Sequence, residues 1–280
     1  MPTNPENLLG SFLMDRRSRL DPAMFGFSAI RRRTSGLRRE EVAQLAKIST
    51  TWYTWLEQGR GGAPSVEVLN RIAAGLMLTE PEREHLFLLG RGHPPDVKFN
   101  SAQGVTPRLQ RLLDAFEVSP AIIRTSTWDV VAWNRAAAVV LTDYSVLPAK
   151  ERNILRLIFS NSRIRQSQDD WDGIAQFVVS AFRADVTRAG ATSEAAKLVD
   201  ELSRLSPEFA ALWQNNDVRV HGEGTKKLHH ATLGYLEMEY SGFAVDGRAD
   251  LHMVVYNTMS PGDANRIRSL IVNTYNELGK

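Results

Sequence analysis

The chain has 280 residues and no cysteine, with 43% hydrophobic and 24% charged residues, the composition of a globular protein long enough for two domains. This excludes a disulfide scaffold, a thiol nucleophile, an iron–sulfur cluster and a cysteine zinc site, as well as collagen, coiled-coil and disordered chains. The net charge of +2 hides an asymmetry: Met1 to Arg60 carries ten Lys or Arg against six Asp or Glu, net +4, so the rest sums to −2, as in a polyanion-binding head on a slightly acidic body.

In chain order, Leu8 to Leu20 reads as an amphipathic helix with Leu8, Leu9, Phe12, Leu13 and Leu20 near one face. Asp21 to Gly36 reads as irregular and carries the run Arg31-Arg32-Arg33. A second helix spans Leu37 to Ala46, a tight turn follows at Lys47-Ile48, and Ser49 caps a third helix that stops at Gly59. A fourth opens at Pro64-Ser65 and runs to about Leu76. A fifth starts at Thr79 and buries Leu86, Leu88 and Leu89. At Gly90-Arg91-Gly92-His93-Pro94-Pro95 the periodicity stops, which divides the chain into a domain over 1–92, a linker over 93–104 and a domain over 105–280.

Beyond the linker, a helix over Thr106 to Phe116 precedes two short strands, Ala121 to Thr125 and Val130 to Trp133. Helices then cover Asn134 to Thr142, Lys150 to Phe159, Asp170 to Ala189, Ser193 to Leu205 and Pro207 to Gln214. Strands follow at Val218 to His221, Lys226 to His230, Gly234 to Phe243 and Leu251 to Asn257. Gly242, Asp246 and Gly247 mark the last hairpin, and a final helix starts at Ser260. Strands, helices and an antiparallel meander amount to an α+β module. No apolar run approaches a membrane span, and the first residues carry no basic-then-apolar signal, so a cytoplasmic protein with no membrane partner is expected.

The stretch Glu40 to Gly59 carries the first legible function. Val42, Ala43, Ile48, Tyr53 and Leu56 supply the buried set that two helices joined by a short turn need to cross, with Ala43 small at the crossing. Ser49, Thr50, Thr51, Thr54 and Trp55 are left outward on the second of these helices, where hydroxyls and methyls suit phosphates and base edges of the major groove. Trp52 and Trp55 either pack on the phosphate backbone or cover the fourth helix. Arg39 either contacts phosphate or pairs with Glu40 or Glu41. Arg31, Arg32 and Arg33 either track phosphate and the minor groove or form a solvated face. With its Leu56-Glu57-Gln58-Gly59 ending, residues 8–90 resemble the Cro/repressor-type helix-turn-helix head of the XRE transcription factor family. That resemblance implies binding to double-stranded DNA, as a homodimer on a pseudo-palindrome.

The second domain holds Arg124 to Ala137, Arg152 to Phe159, Asp170-Trp171, Glu201 to Trp213 and Asp217-Val218-Arg219, in that order. These resemble the MmyB-like ligand-binding domain across 105–270. The resemblance implies a PAS-like antiparallel sheet cupped by helices around a small-molecule cavity. One departure is His230-Ala231-Thr232-Leu233-Gly234, where the family has His-Pro before the Gly, a change that softens the turn.

From the residues alone, Trp128, Trp133, Asn134, Arg135, Phe159, Arg165, Trp171, Phe177 and Trp213 are the pocket candidates. The tryptophans either line an apolar cavity or fill a core; Asn134 either caps a helix or meets the ligand; Arg135 and Arg165 are the carboxylate anchors to consider. A small lipophile such as a fatty acid is the expected ligand, and no cofactor is obligatory. The alternative is a filled module for dimerisation or protein interaction. His229 and His230, adjacent on a strand, point to opposite faces, and His221 and His252 complete no metal site. No hydrolase elbow or phosphate loop is legible, so a non-enzymatic regulator is expected.

Overall fold

A computed structural model of the chain describes residues 7–28, 32, 36–95, 104–166, 170–218 and 222–278. It divides into two compact units, Met1–Pro95 and Asp96–Lys280. Residues 96–103 of the expected linker lie outside the described residues. No helix among the described residues is long and apolar enough to cross a membrane.

The first unit is helical among its described residues: α1 (Leu8–Ser18), α2 (Arg39–Ala46), α3 (Thr50–Glu57), α4 (Val66–Gly75) and α5 (Glu80–Arg91), with a short 3-10 helix at Pro22–Phe25 in the segment expected to be irregular. Side-chain oxygens fix the starts. Asn7 accepts from the Gly10 amide at 3.0 Å, Ser49 from Trp52 at 3.1 Å and Ser65 from Val68 at 3.3 Å, each such cap contributing about 1 kcal/mol. At α5, Glu82 reaches back to the Thr79 amide at 2.9 Å. Between α2 and α3 the chain reverses at Lys47, which takes a left-handed φ of 52° while the Ile48 amide donates to the Ala43 carbonyl at 3.0 Å. A Cβ at Gly10 would run into the Glu57 carbonyl oxygen, so α1 approaches the end of α3 as closely as it does only because Gly10 has no side chain.

The core of this unit gathers Leu13, Val42, Ala43, Tyr53, Leu56, Ile72 and Phe87, with Leu9, Phe12, Leu20 and Ile48 packed on its margin. Two expectations fail. Leu8, in the first turn of α1 before the close approach at Gly10, is exposed, and Leu88 is turned outward while Phe87 is fully buried. The buried stripe of α5 passes through the adjacent pair Leu86 and Phe87, which rotates Leu88 out of it.

The second unit is α+β. It contains α6 (Pro107–Asp114), β1 (Ala121–Thr125), β2 (Val130–Trp133), α7 (Arg135–Val140), α8 (Ile154–Ser160), α9 (Ser162–Gln166), α10 (Trp171–Arg188), α11 (Thr192–Leu205), α12 (Pro207–Gln214), β3 (Glu223–His230), β4 (Gly234–Val245), β5 (Arg248–Thr258) and α13 (Pro261–Leu278). Among the described residues the five strands form one antiparallel sheet in the order β2-β1-β5-β4-β3. One face carries Ile122, Tyr240 and Val254 against Ala137, Tyr144 and Leu157, and Leu228, Leu236 and Met238 against Ala136, Val140 and Ile267. The opposite face carries Ala121, Ile123 and Val255 against Leu113 of α6. A further cluster joins α8, α10, α11 and α12 through Leu155, Phe182, Leu202 and Phe209.

Val218 is not in a strand, and 219–221 lie outside the described residues. The strand expected from Lys226 begins at Glu223, and Gly242 lies within β4 rather than in the hairpin, whose turn is Asp246-Gly247. At the departure after His230, the ring Nδ1 accepts from the Thr232 and Leu233 amides at 3.2 and 3.1 Å, so a histidine holds the turn that lacks the family's proline.

Candidate functional site

The α2–turn–α3 unit presents Ser49, Thr50, Thr51 and Trp55 as exposed side chains, Trp55 at 47% exposure. Thr54 is half-buried and its hydroxyl donates to the Thr50 carbonyl at 2.8 Å, which leaves mainly its methyl outward. Trp52 packs against the core of the first unit, so it takes the covering place of the two open to it. Behind this face, Glu57 closes α3 with a side chain only 1% exposed. Its two oxygens accept from Arg17 Nε at 2.7 Å and Arg39 Nε at 2.6 Å. A carboxylate at a helix C-terminus faces the negative end of the dipole, and the two guanidinium groups offset that conflict. Arg39 therefore has a salt-bridge partner, but it is Glu57 from the other helix rather than Glu40 or Glu41. With 43% of its side chain exposed, Arg39 retains donors for a phosphate.

Arg32 is corrected from a phosphate contact to a strut. Its side chain is 9% exposed and donates to Glu41 at 2.5 and 2.9 Å, to the Ser28 carbonyl at 2.7 Å and to the Gly36 carbonyl at 2.9 Å. This one side chain joins Ser28 and Gly36 to Glu41 of α2, and that engages most of its donors. Hydrogen bonding to Arg32 holds the Glu41 carboxyl below the ordinary carboxylate range. Arg31 and Arg33 lie outside the described residues.

In the second unit the predicted aromatic residues converge on one another. Trp128, in a left-handed conformation at the β1–β2 turn, is fully buried; Nε1 donates to Asp185 Oδ2 at 3.0 Å, and its ring meets Phe182 at 5.8 Å and Arg124 at 4.6 Å. Phe159 packs on Trp171 and Phe209, and Trp213 stacks on Phe209 and tilts against Phe182. Arg165 pairs with Glu208 at 3.1 Å and lies over Trp171, while Arg135 lies over Tyr275. Asn134 takes the capping role: its oxygen accepts from Ala137 at 2.8 Å and Ala121 at 3.0 Å, and its amide donates to the Phe116 and Ser119 carbonyls at 2.8 and 2.9 Å. Trp133 meets Tyr144 at 5.3 Å and Phe177 meets Tyr240 at 6.5 Å, both beside the sheet face.

A cavity of about 690 Å³ opens between that face and the segments 138–144 and 154–166. Its wall includes Ile122, Ile154, Ile158 and Leu228, with Asp143, Tyr144, Asn161, Lys226, His230 and Tyr256 among its polar members. None of the nine predicted pocket residues lies on it: Trp128, Phe159, Trp171 and Trp213 pack on one another and on Phe182 and Phe209 of the helical layer, and the other five are engaged in the contacts just described. Burial pushes the Tyr256 hydroxyl up to about 12 and raises Tyr144 further. A signal for Lys226 was present in the sequence: in a Lys226-Lys227 pair on a strand, alternation turns one lysine inward. Among the described residues, no group of three or more His, Cys, Asp or Glu could hold a metal ion; His221 lies outside them.

Two family models match the chain. A helix-turn-helix domain matches residues 9–86, which contain α2, the Lys47 turn and α3. The MmyB-like transcription regulator ligand binding domain matches residues 105–270, which contain the sheet and the cavity. No curated protein matches the chain. The exposed face of α3 on a helix-turn-helix head, followed by a sheet with a cavity beneath its helices, is the pair of parts these models describe: the protein is a DNA-binding transcription regulator and belongs to the family of the MmyB-like transcription regulator ligand binding domain.

Proposed function

We propose that this regulator responds to a lipophilic small molecule, a fatty acid being the first candidate. It binds a pseudo-palindromic operator as a homodimer, with α3 of each copy in the major groove and half-sites about 34 Å apart. Thr50, Thr51, Thr54 and Trp55 face the bases and backbone, and Arg39 meets a phosphate. The observation that supports the ligand reading is the 690 Å³ cavity, which combines an aliphatic stretch with polar wall residues and whose volume falls within the range of about 300–1,000 Å³ usual for small-molecule sites.

Solvent extraction and native mass spectrometry of the purified protein, with thermal unfolding across saturated acids and alcohols of increasing chain length, test this reading. A co-purifying lipophile, or a midpoint that rises with concentration for one chain length, is expected. An empty extract with an unmoved midpoint across the panel would favour a filled interaction module.

A further inference from the structure

Lys226 and Lys227 are neighbours on β3 and meet opposite surroundings. Lys227 faces outward, where Nζ reaches Glu237 Oε1 across the ladder at 3.4 Å. Lys226 faces inward. Its cross-strand partner is the fully buried Met238, the next residue on its side of the strand is the buried Leu228, and it forms part of the cavity wall.

Among the described residues, no carboxylate lies within 4.0 Å of the Lys226 ammonium and no group hydrogen-bonds to it. It is the one Lys or Arg among the described wall residues. The wall carboxylate, Asp143, accepts from the Ser145 amide at 3.0 Å and its hydroxyl at 2.5 Å. Both wall histidines are engaged elsewhere: His230 Nδ1 accepts from the Thr232 and Leu233 amides while its Nε2 lies 2.9 Å from the Val139 carbonyl oxygen, and the His229 ring tilts against Tyr235 at 5.5 Å. The hydroxyls of Tyr144 and Tyr256 on the same wall have no described hydrogen-bond partner.

A half-buried cation beside apolar groups and without a counter-ion is unfavourable, and such a group on a cavity wall marks a place for an anion. We infer that Lys226 reads the charge of the ligand: the cavity takes an amphiphile whose single carboxylate head meets Lys226 while its aliphatic body lies along Ile154, Leu157, Ile158 and Leu228. The Tyr144 and Tyr256 hydroxyls are further donors for the same head. Burial without a partner lowers the affinity of Lys226 for its proton, and a bound anion reverses that effect. This inference rests on the lipophile reading above and adds the head group and the residue that selects it.

The test is displacement of the neutral dye Nile red from the full chain by dodecanoic acid, dodecanol and methyl dodecanoate. The wild type is expected to bind the acid about tenfold or more tighter than the alcohol or ester, the scale of one charge-assisted hydrogen bond. Lys226→Met is expected to lose that preference while keeping its affinity for the alcohol, and Lys226→Arg to restore it. Lys226→Gln is a second neutral variant, so the comparison does not depend on the folding of one protein. Equal binding of acid and alcohol by the wild type, or an acid preference that survives in both neutral variants, would overturn the role of Lys226 and leave the lipophile cavity standing. Failure of the wild type to bind the dye or any of the three compounds would overturn the cavity reading itself.

Discussion

Glu57 ends α3, and its side chain is sealed between Arg17, itself buried, and Arg39, which is half exposed. The two arginines therefore differ in what their loss does. Glu57→Ala leaves Arg17 buried without a counter-ion and is expected to destabilise the head by about 3 kcal/mol in urea unfolding. Arg39→Ala leaves the Arg17–Glu57 pair intact and should alter stability by less than about 1 kcal/mol. In DNA titrations it should weaken binding to all sequences and lower the salt slope by about one. Acid sensitivity is also set residue by residue. Desolvation by burial holds the His252 pKa below the ordinary value of 6.5, so the folded protein takes up its proton later than the unfolded chain. Stability from this group is present above about pH 6.5 and lost as pH falls from there toward the lower folded value. Glu41, depressed by Arg32, acts in the same direction at lower pH, below about 4.3. Unfolding followed separately in the two units is expected to show the second losing stability first on acidification. A second unit whose stability is unchanged between pH 7 and 5.5 would contradict this.

At the scale of elements, α3 separates a buried side, Tyr53 and Leu56, from an exposed one, Thr50, Thr51 and Trp55. Substitution of each exposed residue by Ala should leave the thermal midpoint nearly unchanged. For those that touch bases, it should weaken specific DNA binding by about 1–3 kcal/mol. Midpoints that fall together with affinity would place these residues in the fold instead. This face was legible in the sequence because helical period, capping Ser49 and terminal Gly59 are local signals. The Arg39–Glu57 and Arg32–Glu41 pairs were not, since they join residues eighteen and nine apart and depend on how helices and loop pack. In the second unit, the strands β1 and β2 and helix α12 could be read directly, whereas the 3-10 turns at Tyr144–Val146 and Ala149–Glu151 and the short α9 carry no period long enough to read. The cavity wall escaped for a different reason. Large aromatics attract attention in a sequence, but here most of the predicted ones fill the layer of α8, α10 and α12, while the wall draws common aliphatic and polar residues from α7, α8, α9, β3 and the segments between them.

On the scale of the whole molecule, the two units carry the two halves of a regulator, and the small net charge is the sum of a basic front and a slightly acidic remainder. A ligand in the second unit alters DNA binding only if the DNA-bound and free forms hold it with different affinity, and the effect is then reciprocal. Such couplings usually amount to about 5–150-fold in affinity. The most direct measurement is fluorescence anisotropy of a labelled fragment of the protein's own promoter, titrated at two salt concentrations with and without dodecanoic acid, beside a scrambled fragment. The predicted result is tighter binding to the promoter than to the scrambled sequence, affinity that falls as salt rises, and a shift of about fivefold or more when the acid is present. Equal affinity for both fragments, unchanged by salt and by the acid, would contradict it.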